Sequence, residues 1–170
     1  MSVFVPKMYY KDIYSINYDK LQDFGIKYLV FDLDNTIGLI NEKVCNLKTK
    51  TFLNKLSLKF KIIIASNNNL KRVKLFASDL NASLIAFALK PSGKIYRYLK
   101  KNYTKNMNEV CIIGDQIVTD IISGNRFKMF SILVDPKGDK DLKITNLNRL
   151  IEKKIMKKIN FKRGEYYGEK

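Results

Sequence analysis

The sequence predicts an α/β fold, a three-layer sandwich in which a five-stranded parallel sheet lies between layers of helices. Five short apolar runs rich in β-branched residues recur along the chain, and segments with helical spacing separate them. Runs of this length are typical of strands buried on both faces. Their regular alternation with helices is typical of a parallel sheet with right-handed crossovers.

The predicted elements follow one another without a long interruption. The strands are KYLVFDL (27–33), KIIIAS (61–66), SLIAFA (83–88), EVCIIGD (109–115) and MFSILVD (129–135). The helical segments are LKTKTFLNKLSLKF (47–60), NLKRVKLFASDLN (69–81), SGKIYRYLKKNY (92–103) and QIVTDIISGNRFK (116–128). In such sheets ligands bind outside the carboxyl ends of the strands, so we expect the chemistry at that edge.

The chain of 170 residues is expected to be one domain, residues 1–170, with its core motifs in residues 28–135. An N-terminal extension, residues 1–25, contains short helical turns and is expected to pack against the sheet. A basic C-terminal helix and tail are expected at about residues 146–170. Isoleucines recur there every four residues, and lysines lie between them. This helix either packs on the domain, the favoured interpretation, or lies peripherally on an anionic membrane.

The composition restricts the possible chemistry. The chain contains no histidine, which excludes a Ser-His-Asp triad, a phosphohistidine and any His-ligated metal within it. Catalysis must therefore rest on carboxylates, hydroxyls, lysine or a hard metal ion.

The net charge of +16 is compatible with nucleic acid, an anionic membrane surface or an anionic substrate, and equally with a lysine-rich composition alone. No cluster of basic and aromatic residues marks nucleic-acid binding, which is the less favoured partner. No apolar run approaches the roughly 20 residues that cross a bilayer, and the N-terminus lacks the features of a secretory signal. We expect a cytoplasmic protein, with peripheral contact at the inner face of the membrane left open.

Two acidic residues follow the first predicted strand, in the segment FDLDNT. Side chains at positions i and i+2 of an extended segment point to the same side, so Asp32 and Asp34 are expected to converge. Carboxylates about 5 Å apart repel by about 3 kcal/mol at an effective dielectric of 20. Mg²⁺, which prefers oxygen ligands, offsets such repulsion well, and Asp115 would add a carboxylate from another strand end.

The motifs FDLDNT, ASNN, KP and GDQIVTD resemble, in order, the four motifs of the haloacid dehalogenase (HAD) superfamily. The resemblance covers residues 28–120 and implies the Rossmann-like HAD fold. It also implies that Asp32 is a nucleophile that forms an aspartyl-phosphate and that Asp34 is the general acid and base. An acid at position 34 favours a phosphatase over the ion-pump ATPases and the dehalogenases of the superfamily.

The same resemblance implies roles for the other strand ends. Ser66 and Asn67 would bind the phosphoryl oxygens, and Lys90 would neutralise charge in the transition state. Mg²⁺ would lie between Asp32, the main-chain carbonyl of Asp34 and Asp115, with Asp120 in the outer shell.

The connections between the motifs are too short for the cap domain that usually covers a superfamily site. An open site implies a phosphorylated substrate that is large or presented on a surface. The capless arrangement is similar to subfamily IIIA of the superfamily and to its YqeG-like branch. That branch is related to the mitochondrial phosphatidylglycerophosphate phosphatases. The resemblance therefore implies phosphatidylglycerophosphate as a candidate substrate. A protein or nucleic-acid phosphate remains an alternative, as does a basic RNA- or protein-binding module with a vestigial site, and the oligomeric state stays open.

Overall fold

The computed structural model describes residues 3–138, 152, 154–156 and 161–167. A single sheet of six parallel strands runs through it, in the order β1-β6-β5-β2-β3-β4. The strands are β1 (Met8–Tyr10), β2 (Tyr28–Phe31), β3 (Lys61–Ala65), β4 (Ser83–Ile85), β5 (Val110–Gly114) and β6 (Phe130–Val134).

Helices connect consecutive strands, as the apolar spacing predicts. They are α1 (Tyr18–Asp23), α2 (Leu47–Leu56), α3 (Leu70–Phe76), α4 (Lys94–Asn102) and α5 (Ile122–Arg126). A 3₁₀ turn (Met107–Glu109) precedes β5, and a π-helical turn (Ile117–Ile121) precedes α5. Asparagine side chains cap α2 and α3, where Asn46 and Asn69 accept hydrogen bonds from backbone N–H groups of the first turn.

Successive residues of the central strands point to opposite faces, so each face has its own core. Leu29 and Phe31 of β2 join the core that α1, α2 and α3 cover, whereas Val30 joins the core under α4. Strands buried on both faces explain the continuous apolar runs in the sequence, and the three layers agree with the fold class that they predict.

In the part of the chain that the structure describes, the sheet has six strands, one more than the five predicted. The additional strand, β1, comes from the N-terminal extension, where short helical turns were expected. It pairs in parallel with β6, Met8 opposite Ile132. On its other side, Tyr9 O accepts a hydrogen bond from Gly164 N at 2.8 Å. β1 is therefore hydrogen-bonded through its backbone on both sides.

The strand order places the topological switch point of the sheet between β2 and β5. From β2 the chain proceeds to β3 and β4 on one side, then returns to β5 and β6 on the other. The carboxyl ends of β2 and β5, which precede Asp32 and Asp115, therefore lie next to each other at the point where ligands bind. The described residues 32–94 contain no inserted domain over this edge.

The predicted C-terminal helix falls largely outside the described residues, including Ile151 and Ile159. Within them, residues 154–156 are helical, and Ile155 and Met156 pack beside the apolar cluster next to β6. This contact agrees with the interpretation that the segment packs on the domain. No described helix is long and apolar enough to span a membrane.

Candidate active site

Lys90 is the centre of a buried ionic cluster at the carboxyl edge of the sheet. Its ammonium Nζ donates to Asp32 Oδ1 and, at 2.8 Å, to Asp120 Oδ1. The three side chains are buried. Asn67 holds the backbone of Lys90, because Asn67 Oδ1 accepts from Lys90 N at 2.8 Å. The position of the ammonium is thus fixed by the backbone contact of Lys90 with Asn67 and by its two carboxylate partners.

Three carboxylates converge in this cluster. One oxygen each from Asp32, Asp115 and Asp120 lies within 4.8 Å of the others. The Thr36 hydroxyl lies 3.1 Å from Asp115 Oδ1 and 3.4 Å from Asp32 Oδ2. These carboxylates form a buried set of oxygen donors, and such a set fits a divalent cation that takes oxygen ligands.

The surroundings perturb both partners of the central ion pair. Burial raises the pKa of Asp32 well above its usual range; Lys90 opposes this effect, and Asp120 and Asp115 add to it. Burial alone would lower the pKa of Lys90, but the adjacent Asp120 and Asp32 outweigh burial and raise it. Lys90 therefore remains cationic, and it is Asp32 whose charged form the protein matrix disfavours.

Asp120 reaches the cluster through the π-helical turn that follows β5. Its second oxygen, Oδ2, accepts from Gln116 N and from Thr119 Oγ1, each at 3.2 Å. An expectation based on an ordinary α-helix puts Asp120 in an outer shell, whereas the wider π turn brings its carboxylate against Lys90. Gly114 makes room for it, because a Cβ at that position would lie 2.2 Å from Asp120 Cγ.

The carboxylate of Asp34 has partners of its own. Its Oδ1 accepts from Arg72 Nη2 at 3.0 Å, and its Oδ2 accepts from Asn68 Nδ2 at 2.8 Å. The two aspartates of FDLDNT therefore pair with different cations, Asp32 with Lys90 and Asp34 with Arg72. β2 ends at Phe31, directly before the first of them.

Arg72 ties the Asp34 carboxylate to the loop that follows it. Its Nη1 donates to Glu42 O at 2.6 Å, and its Nη2 also donates to Leu39 O at 3.1 Å. The sequence alone did not predict a role for Arg72, Asn68 or Thr36. Asn68 is the last residue of ASNN and Thr36 is the last residue of FDLDNT, so their motifs could have indicated both. Arg72 lies in a predicted helix and no motif marks it.

Ser66 and Asn67 lie where the sequence places them, directly after β3. Ser66 is buried, and its hydroxyl oxygen accepts from Asn68 N at 3.0 Å. Asn67 also donates from Nδ2 to Lys90 O at 3.4 Å, so its side chain brackets the backbone of Lys90. Their roles toward a phosphoryl group stay predictions.

Comparison with known proteins provides independent evidence. The family model described as "Mitochondrial PGP phosphatase" matches residues 1–137. A Bacillus subtilis (strain 168) protein named "Probable phosphatase YqeG" is 34% identical over 154 residues, which cover 90% of each chain.

Two solved structures resemble the fold. An uncharacterized protein from Listeria monocytogenes serotype 4b has a TM-score of 0.54 at 18% identity, over 69% of this chain and 85% of that one. A predicted HAD-like family hydrolase from Porphyromonas gingivalis has a TM-score of 0.53 at 11% identity, over 74% and 98%. At these identities the structures support the fold, and the sequence matches support the family.

Proposed function

Because the chain belongs to the YqeG-like HAD phosphatases, a family described as mitochondrial PGP phosphatase, we propose that it is a Mg²⁺-dependent phosphomonoesterase acting through an aspartyl-phosphate on Asp32. The observation that carries the proposal is the group of three buried carboxylates around Lys90 at the switch point of the sheet.

Asp32 is the proposed nucleophile because Lys90 Nζ and the Thr36 hydroxyl each hold one oxygen of its carboxylate at the end of β2. A carboxylate oxygen attacks phosphorus, the bond from phosphorus to the leaving alcohol oxygen breaks, and Asp34 gives that oxygen a proton. Water then attacks phosphorus while Asp34 takes up a proton from it, and the bond from phosphorus to the Asp32 oxygen breaks, which releases inorganic phosphate and restores Asp32. The Lys90 ammonium, already within the cluster, offsets negative charge on the equatorial oxygens.

Asp34 suits proton transfer because it is more accessible than the buried cluster. Its side chain is 16% exposed, whereas that of Asp120 is 1% exposed. Arg72 and Asn68 each occupy one of its oxygens and so fix the plane of the carboxylate. Fixing a catalytic group in one orientation lowers the entropy lost in the transition state.

The side chains of Asp32, Asp115 and Asp120, with the main-chain carbonyl of Asp34, are the groups that would hold Mg²⁺. When bound, the ion acts as a Lewis acid that neutralises charge on the phosphoryl group. This set differs from the sequence expectation by including Asp120. The convergence of three buried carboxylates supports the assignment, since Mg²⁺ prefers oxygen ligands.

Phosphatidylglycerophosphate is the substrate we propose, on the strength of the family description and of a site with no inserted domain over it in residues 32–94. The test is a phosphate-release panel that compares this lipid with phosphopeptides, nucleotides and sugar phosphates, with Mg²⁺ and with chelator. We expect turnover of the lipid to exceed the others and to stop reversibly on chelation. Preference for a phosphopeptide or nucleotide would contradict the lipid assignment, and a metal-independent rate would contradict the Mg²⁺ site.

A further inference from the structure

The loop that carries Lys90 presents two large apolar side chains to solvent. Phe87 is 51% exposed and Leu89 62% exposed, whereas Ala88 and Lys90 between and after them are buried. Phe87 and Leu89 have backbone φ angles of 48° and 51°. Bulky residues rarely adopt this left-handed region, because it brings Cβ too close to the following carbonyl oxygen. The conformation directs the apolar side chains outward while Lys90 points into the active site.

The exposure does not arise from a loose loop, since its backbone is held at several points. Phe87 N donates to Asn68 O at 2.8 Å, and Ala88 N donates to Ser66 O at 2.9 Å. Lys94 Nζ donates to Ala86 O at 2.9 Å and to Phe87 O at 2.6 Å. A rigid loop therefore holds two apolar side chains in water next to the active site.

Two further exposed leucines lie on the neighbouring loops of the same edge. Leu39, 36% exposed, follows β2, and Leu70, 45% exposed, begins α3 after β3. Arg72 connects these loops, since it binds Leu39 O and Asp34. We call Leu39, Leu70, Phe87 and Leu89 the apolar rim. Apolar residues grouped around a site in this way mark an interaction surface more often than isolated ones do.

We propose that the apolar rim docks on the surface of an anionic lipid bilayer, so that the active site faces phosphate groups presented there. This inference rests on the proposed function, because docking places the phosphatase edge against the bilayer. The net charge of +16 and the exposed Lys43 and Lys71 beside the rim complement an anionic surface. The same charge opposes association with a second copy of the chain.

Two carboxylates at this edge, those of Asp34 and Glu42, are engaged by partners within the protein. Asp34 is paired with Arg72, and the Glu42 carboxylate accepts from Leu39 N at 2.9 Å and from Asn46 Nδ2 at 2.7 Å. The rim thus combines apolar side chains that can enter the headgroup region with cations that bind anionic lipids, as interfacial proteins do.

The experiment measures binding to vesicles in the Asp32→Asn background, so that no turnover is needed and failure of the proposed function does not affect it. The rim variant combines Phe87→Asn and Leu89→Asn, because asparagine tolerates the left-handed conformation. The matched control is Leu58→Asn. Leu58 is 84% exposed, but it precedes β3 and so lies near the amino-terminal ends of the strands, opposite the active site. Flotation with phosphatidylglycerol and with phosphatidylcholine vesicles reports partitioning, and circular dichroism verifies folding.

We expect the parent to bind phosphatidylglycerol vesicles in preference to phosphatidylcholine vesicles, and the rim variant to bind about tenfold more weakly or worse. The Leu58 control should bind as the parent does, and Phe87→Leu should retain binding. Absence of vesicle binding by the parent would overturn the proposal. So would equal binding by the rim variant, or a concentration-dependent dimer that the rim substitutions abolish.

Discussion

Replacing Asp32 by asparagine should abolish turnover and, in the metal-free protein, raise the free energy of unfolding. Two carboxylate oxygens at the 4.8 Å limit of the cluster repel by about 3.5 kcal/mol at an effective dielectric of 20. Asp32 faces two such neighbours, and its attraction to Lys90 does not offset this repulsion together with its desolvation, which is the largest effect. The raised pKa of Asp32 has the same cause, since the folded state disfavours its charge. We expect Asp32→Asn to stabilise the metal-free protein by about 1–3 kcal/mol.

The assay measures stability and turnover separately, and we expect the stability of the metal-free variant to rise while its turnover is lost. Urea unfolding in chelator, followed by circular dichroism, gives the change in stability, and release of a soluble aryl alcohol with Mg²⁺ gives turnover. The control is Asp79→Asn, at a 68% exposed side chain that pairs with Lys50 at 3.0 Å. This change should alter stability by less than about 1 kcal/mol and leave turnover unchanged. Destabilisation of the Asp32 variant by more than about 1 kcal/mol would refute the electrostatic reasoning. Turnover within about tenfold of wild type would refute the nucleophile assignment.

Three further substitutions test the positions of the other groups. Lys90→Met should lose turnover and lower the metal-free free energy of unfolding by about 3–5 kcal/mol, because it leaves buried carboxylates unpaired; urea unfolding that shows no loss would contradict this. Arg72→Lys should keep the fold but lower kcat by about 10- to 100-fold, since lysine cannot hold Asp34 and the loop carbonyls together; unchanged steady-state kinetics would show that orientation of Asp34 does not depend on Arg72. Gly114→Ala should lower the free energy of unfolding by about 1–3 kcal/mol and remove most of the turnover, because the added Cβ displaces Asp120. Unchanged thermal unfolding and unchanged kinetics would contradict this.

Much of the fold could be predicted from sequence, because β2, β3, β5 and β6 are buried on both faces and their apolar runs report this directly. β4 is as short as β1, but it lies within the apolar run SLIAFA (83–88). The strand β1 could not be predicted. Its three residues, Met8–Tyr10, carry no periodic signal, and what makes them a strand is pairing with residues about 120 positions later. Such a contact follows from the assembled sheet and not from the local pattern.

The candidate site shows the same division between local and assembled information. Asp32, Lys90 and Asp115 follow strands and could be located from strand ends. The part played by Asp120 depends on a π turn, and a sequence pattern does not distinguish that turn from an α-helix. Arg72 acts through the direction of a long side chain across two loops, which no spacing rule specifies.

Pairing of the first strand with the last has a consequence for the order in which the molecule can assemble during synthesis. β1 is made before the other described strands, whereas β6, its partner, is the last of them. Until then β1 has no neighbour in the sheet, and the outer edge of β5 is likewise unpaired. The sheet can therefore grow outward from β2 and β3, but its far side closes only when translation has passed Val134. Nascent chains shorter than this should expose an open strand edge that invites chaperones or aggregation.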